Sequence, residues 1–187
     1  MIHKIVWEHL EDFGCEFLGI GNENNGIITT GIIITSEQHK PYKINYTVRL
    51  DQSWKTKKLI LNVDNKENLE IISDGFGNWY TGDGKKINEL SGAIDIDISA
   101  TPFSNTLPIN RFEWETNQKR DFEMVYISVS SLETFKVKQS YTYLQRNGNI
   151  REFLYQSYGF ESIIYVDDNG FVTFYPELFE RRFNLET

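Results

Sequence analysis

The sequence is poor in residues that cross-link, ligate metals or break secondary structure. Of 187 residues, one is cysteine, two are methionine and four are proline. A lone Cys15 excludes both an intramolecular disulfide and a cysteine metal cluster. The three histidines, His3, His9 and His39, are scattered. None stands three or four residues from a second ligand on a helical pattern, so no metal and no cofactor is expected. No G-x-S-x-G occurs, and the glycines at Gly75, Gly77, Gly82 and Gly84 lack the strand-to-helix setting of a phosphate loop. No apolar run approaches the ~20 residues that span a bilayer. The opening MIHKIVWEHLEDFG carries acids too early for a signal peptide. The expectation is a cytoplasmic protein without stable membrane insertion.

Positive charge is scarce too. Nineteen Lys and Arg face 27 Asp and Glu, a net charge of −8, with an isoelectric point near 4.9. A nucleic-acid binder needs a basic face to neutralise phosphate, so no nucleic-acid partner is expected. Docking on anionic membranes is disfavoured for the same reason.

Aromatic residues are plentiful: 13 Phe, 10 Tyr and 4 Trp. They favour strands and line apolar pockets. Period-two alternation recurs along the chain. Tyr42, Ile44, Tyr46, Val48 and Leu50 share one face, with Arg49 and Asp51 on the other. Phe135, Val137, Gln139, Tyr141 and Tyr143 share another. Gly31, inside the β-branched run at 27–35, marks a bulge or a close backbone approach. Turn residues at 22–26, 146–149 and 167–170 separate the runs. The tail PELFERRF, 176–183, reads as one or two helical turns opened by proline. Ten or more short strands without a long helix predict an all-β fold. Length fits one domain over 1–187. Accumulated twist predicts one strongly curved antiparallel sheet, forming a barrel or half-barrel, with a short C-terminal helix.

The stretch GAIDIDISATPFSNTLPINRF, 92–112, concentrates the chemistry. Ile94, Ile96 and Ile98 alternate with Asp95, Asp97 and Ser99, so the two acids share a face. Pro102 and Pro108 then stiffen a non-repetitive loop ending at Arg111. Asp95 and Asp97 stand about 6.5–7 Å apart along the strand. That spacing suits a glycosidase pair, although such carboxylates usually come from different strands. The plainer reading is a solvated face or an ion-pair cluster. If the face points inward the acids need partners, and Arg49 and Arg111 are the candidates. Trp54 and Trp79 sit beside turns, where tryptophan closes a core more often than it stacks on a ligand.

The phrase IDIDISATPFSNTLPINR, 94–111, closely resembles the signature of a bacterial family called putative glycolipid-binding proteins. YKINYTVRLDQSWKTKKL from Tyr42, DGFGNWY from Asp74, VKQSYTYL from Val137 and YVDDNGFVTFYPELFERRF from Tyr165 match in the same order. The chain departs from the pattern at Ala93, where cysteine is expected. The resemblance implies a curved antiparallel sheet similar to lipoprotein-carrier folds. It also implies a glycolipid or other amphipathic partner, held without catalysis in the concave face. Carried over by position, the motif residues are Arg49, Asp51, Trp54, Asp95, Asp97, Thr101, Pro102, Phe103, Asn105, Pro108, Arg111, Gln139 and Tyr141. Of these, Arg49, Asp51, Trp54, Asp95, Asp97, Thr101, Asn105, Arg111, Gln139 and Tyr141 are the expected ligand contacts. Two alternatives remain open at this point. One is an enzyme using Asp95 or Asp97 as acid or base on a small polar substrate; the other is a structural domain with no ligand.

Overall fold

A computed structural model describes residues 3–37, 40–64, 66 and 68–186. His39 lies outside the described residues. The first half is a run of strands: β1 (His3–His9), β2 (Gly14–Glu23), β3 (Gly26–Glu37), β4 (Lys40–Asp51), β5 (Thr56–Val63), β6 (Leu69–Ser73) and β7 (Trp79–Thr81). Next come β8 (Asp95–Ile98), a 3-10 turn at Pro102–Asn105 and α1 (Thr106–Arg111). The second half holds β9 (Lys119–Ile127), β10 (Thr134–Asn147), β11 (Ile150–Ser157), β12 (Phe160–Val166), β13 (Val172–Tyr175) and β14 (Phe179–Glu186).

All fourteen strands form one sheet in the order β7-β6-β5-β4-β3-β2-β1-β14-β13-β12-β11-β10-β9-β8. Each half is a meander, and β1 joins them by pairing with β14. The sheet is not closed into a barrel; its edges are β7 and β8. One pair departs from the antiparallel expectation. β8 runs parallel to β9, because the chain returns through α1 before re-entering the sheet.

The C-terminal helix expected over 176–183 is instead a turn followed by β14. Leu178 N–H closes that turn on Tyr175 O at 3.0 Å. Without β14, one side of β1 would be a bare edge of unpaired backbone groups, and pairing there overrides the helical pattern of ELFERRF. The helix lies where an irregular loop was expected, at α1 and the turn before it. Proline is compatible with both. Pro102 opens the 3-10 turn and Pro108 is the third residue of α1, first-turn positions whose N–H has no intrahelical acceptor.

The sheet rolls so that β8 lies inside it, with a core on either side. Ile96, Ile98, Phe103, Leu107, Val125 and Ile127 join the core built by β1–β6. Ile109, Tyr141, Phe153, Tyr155, Ile164 and Tyr175 form the second. The concave face of the first half, the expected trough for an apolar chain, is therefore filled by the protein's own segment after β7. Close contacts fix the roll. A Cβ at Gly31 would lie 2.0 Å from the Tyr46 ring, so glycine there lets the ring lie flat over β3. A Cβ at Gly170 would meet Asn110 at 2.0 Å, and Asn110 Nδ2 donates to Asn169 O at 2.7 Å. These contacts pin α1 to the β12–β13 hairpin.

Candidate functional site

The two aspartates of β8 share a strand face but differ in their partners. The acidic face is not solvated: Asp95 is fully buried. Arg111 Nη1 donates to Asp95 Oδ1 at 2.8 Å, and Nη2 donates to Oδ2, a bidentate clamp. The guanidinium also lies over Phe112 at 5.3 Å and Phe122 at 5.7 Å. Burial raises the Asp95 carboxyl to about 6, against the opposing pull of Arg111. Arg111 is occupied by this pair and is itself nearly buried.

Asp97 has no cation beside it among the described residues. Gln139 Nε2 donates to Asp97 Oδ2 at 2.6 Å. Burial raises its carboxyl to about 6, and the Gln139 bond lowers it only in part. Protein packs around Asp97 on most sides, and its remaining exposed surface faces a cavity. Tyr141 Oη lies 2.9 Å from Asn105 Oδ1 and 3.2 Å from Gln139 Oε1. One hydroxyl proton thus serves two acceptors, and Gln139 is held from both ends. Asn105 is fixed in turn, donating to Pro102 O at 3.1 Å. Ser104 Oγ accepts from Ile98 N at 2.9 Å, tying the turn back onto β8.

The cavity at Asp97 has a volume of about 230 Å³. Asp97, Ser99, Thr101 and Asn105 supply polar groups, and Tyr155, Phe160, Tyr175 and Phe179 its aromatic walls. Burial raises the Tyr155 and Tyr175 hydroxyls above their ordinary range, so both are neutral donors at physiological pH. Among the described residues Asp97 is the one charged side chain lining the space. A second hollow of about 280 Å³ shares Ser99, Leu178 and Phe179 with it. A larger concavity, about 540 Å³, meets it at Phe160. That outer groove is lined mostly by solvated groups such as Lys119, Asp121, Lys138 and Glu161, and has no buried acid. The buried chemistry therefore singles out the smaller cavity.

One buried carboxyl was not singled out from the sequence. Glu16 on β2 is fully buried and accepts from Tyr46 Oη. Its Oε2 has no partner at hydrogen-bond geometry among the described residues. Burial raises its carboxyl to about 7, with Thr101 and Tyr46 opposing. Thr101 Oγ1 caps the 3-10 turn, accepting from Phe103 N at 3.0 Å, and Thr101 also lines the Asp97 cavity. The available signal was phase: Glu16 alternates in step with Leu18 and Ile20, the core face of β2.

The other expected contacts fall elsewhere. Arg49 is not a partner of the β8 acids; it lies half-exposed on the outer face and pairs with Glu23 at 2.8 Å. Side chains alternate across a strand, so the phase that buries Val48 and Leu50 points Arg49 outward. Asp51 shapes a turn, with Oδ1 accepting from Ser53 N at 2.8 Å and Lys55 N at 3.0 Å. Trp54 in that turn has φ 62° and lines a separate cavity. Trp79 is wholly buried and donates to Ala93 O at 2.7 Å, a core residue. Among the described residues no group of three or more His, Cys, Asp or Glu is placed to hold a metal. No helix among them is long and apolar enough to cross a membrane.

Fold and site define a class: proteins built on one open, rolled sheet with a carboxylate cavity beside the inner strand. The chain belongs to the family described as putative glycolipid-binding, whose profile matches residues 4–181. It is similar to a DUF1089 family protein from Pseudomonas aeruginosa solved by crystallography. The two share 27% identity and superpose with a TM-score of 0.78 over 89% of this chain and 92% of the other. No curated protein matches the sequence.

Proposed function

We propose that the protein binds an amphipathic molecule whose uncharged, sugar-like head group enters the Asp97 cavity. The observation that carries this reading is the floor: a carboxylate positioned by Gln139, without a counter-cation among the described residues, in a cavity walled by four aromatic rings. A carboxylate and neutral tyrosine hydroxyls match vicinal hydroxyl groups. The rings offer flat apolar surface to a sugar face. An anionic head would meet Asp97 unscreened. The apolar part would rest on Leu178, Phe179, Ala100 and Val129 along the adjoining hollow rather than in the filled trough. Thr101 and Asn105 would contact the ligand, Gln139 and Tyr141 would position those contacts, and Asp95 with Arg111 would hold the floor. Native mass spectrometry of the purified protein, followed by organic extraction, tests this. A neutral glycolipid in the extract supports the reading, and a phospholipid there contradicts it.

One observation favours a second reading. A carboxyl raised to about 6 in a cavity is suited to general acid–base chemistry. Glycoside hydrolysis needs a second carboxyl group across the substrate. Asp95 is clamped by Arg111 and does not line the cavity. Turnover of a nitrophenyl glycoside that disappears in Asp97→Asn would establish catalysis over binding.

A further inference from the structure

We infer that Glu16 is a positioning residue for the Asp97 cavity, an inference that rests on that cavity holding the head group. Its proton decides where the Thr101 hydroxyl donates: to the ligand when Glu16 is protonated, to Glu16 when it is ionised. Glu16 is fully buried and does not itself line the cavity. It acts through Thr101, which does. A threonine hydroxyl has one proton and two lone pairs. One lone pair of Thr101 Oγ1 accepts from Phe103 N at 3.0 Å. The hydroxyl also lies beside Glu16 and Tyr46 and opposes the rise that burial gives both groups. Tyr46 Oη donates to Glu16 Oε1, so that oxygen is satisfied in either protonation state. Oε2 is enclosed and has no partner at hydrogen-bond geometry among the described residues. An ionised Oε2 must therefore draw the Thr101 proton or stay unpaired in a dry core. A protonated Oε2 instead donates to the second lone pair of Thr101 Oγ1, and the threonine proton is free to turn to the cavity.

The surroundings of Glu16 separate its titration from others. β1 and β3 set Trp7 and Ile33 opposite it. From β4 comes Tyr46, kept neutral by burial and stacked on Phe103 with ring centroids 6.5 Å apart. His9 shares the inner phase of β1 with Trp7, and burial lowers its ring from 6.5, so it is neutral at pH 7 and above. Among the described residues no lysine or arginine pairs with Glu16. Asp97 also lines the cavity with Thr101 and is raised to about 6. Asp97 thus ionises first, and as a carboxylate it accepts from ligand hydroxyls. Glu16, raised to about 7, loses its proton next and withdraws the Thr101 donor. Affinity should therefore rise with pH through the Asp97 titration and fall through that of Glu16.

The probe is octyl glucoside, titrated calorimetrically below its micelle concentration from pH 5 to pH 8.5. In the native protein its affinity should fall about tenfold between pH 6.5 and pH 8.5, the worth of one hydrogen bond. Glu16→Gln keeps an acceptor for Tyr46 and a donor for Thr101, so it mimics the protonated acid and should hold the pH 6.5 affinity up to pH 8.5. At pH 7.5, titrations in buffers of different ionisation enthalpy should show proton uptake on binding to the native protein and none with Glu16→Gln, because binding and protonation favour each other reciprocally. Thr101→Val should bind about tenfold more weakly at pH 6.5 and lose the upper fall, and Thr101→Ser should restore both. A purely structural Glu16 would change melting temperature and leave the binding profile unmoved. Glucoside binding that does not fall above pH 6.5, or that falls equally in Glu16→Gln, would overturn the role of Glu16 while the Asp97 cavity stands. No glucoside binding at any pH would overturn both.

Discussion

Among the described residues Asp97 is held by Gln139 alone, at 2.6 Å, with no cation to balance it. Two residues earlier on the same face, Asp95 receives the bidentate clamp of Arg111. One aspartate thus completes the fold, and the other remains electrostatically open toward a cavity.

Asp97→Asn should stabilise the protein at neutral pH. The folded carboxyl is raised to about 6, so the folded state keeps its proton between the unfolded value near 3.8 and about 6. Stability from this group therefore falls as pH rises through that window. Above it, Asp97 carries a charge that folding disfavours. Allowing for water in the cavity, removing that charge should add about 1–2 kcal/mol at pH 7.5. Thermal melts should show the gain at pH 7.5 and lose it at pH 4. A loss at pH 7.5 would contradict the assignment.

Arg111→Ala should do the opposite. It strands a buried carboxylate, at a cost of about 3–5 kcal/mol. Combining Arg111→Met with Asp95→Asn should recover most of that loss, because no charge is then left unpaired. A double-mutant cycle from urea denaturation gives the coupling, and additive losses would mean that the clamp contributes nothing.

Glu16→Gln should flatten the pH dependence at its upper end. Its carboxyl is raised from 4.5 to about 7 in the fold, so native stability declines as pH climbs across that interval. The amide has no proton to lose. Melting temperatures at pH 5, 6, 7 and 8 should fall in the native protein and change less in the variant. Equal slopes would show that Glu16 is already charged at low pH.

Gly31→Ala should cost about 1–3 kcal/mol, because the added methyl meets the Tyr46 ring at 2.0 Å and must displace it. Urea midpoints measure this, and an unchanged midpoint would mean the ring moves freely.

Strand content, the inward phase of Tyr42 to Leu50 and the special place of Gly31 were all legible in period-two alternation. That signal is local, and the errors lie where tertiary pairing decides. ELFERRF has a helical pattern but pairs with β1, and nothing nearby in sequence announces that partner. Pro102 and Pro108 read as breakers although both fall where helical turns accept proline. At the site, the pairing of Asp95 with Arg111 was foreseeable from inward acids needing cations. The roles of Gln139 and Asn105 around Tyr141 were not, because three elements supply them. Glu16 was detectable as an acid in an apolar phase. The filling of the trough by β8 was not, since it depends on how far the sheet rolls.

The most direct test of the Asp97 cavity as a sugar head-group site is calorimetric titration with octyl glucoside below its micelle concentration, against octyl sulfate. The account predicts one-to-one binding of the glucoside, weakened about tenfold in Asp97→Asn, and no binding of the sulfate. Equal affinity for both detergents, or full affinity for the glucoside in Asp97→Asn, would contradict it.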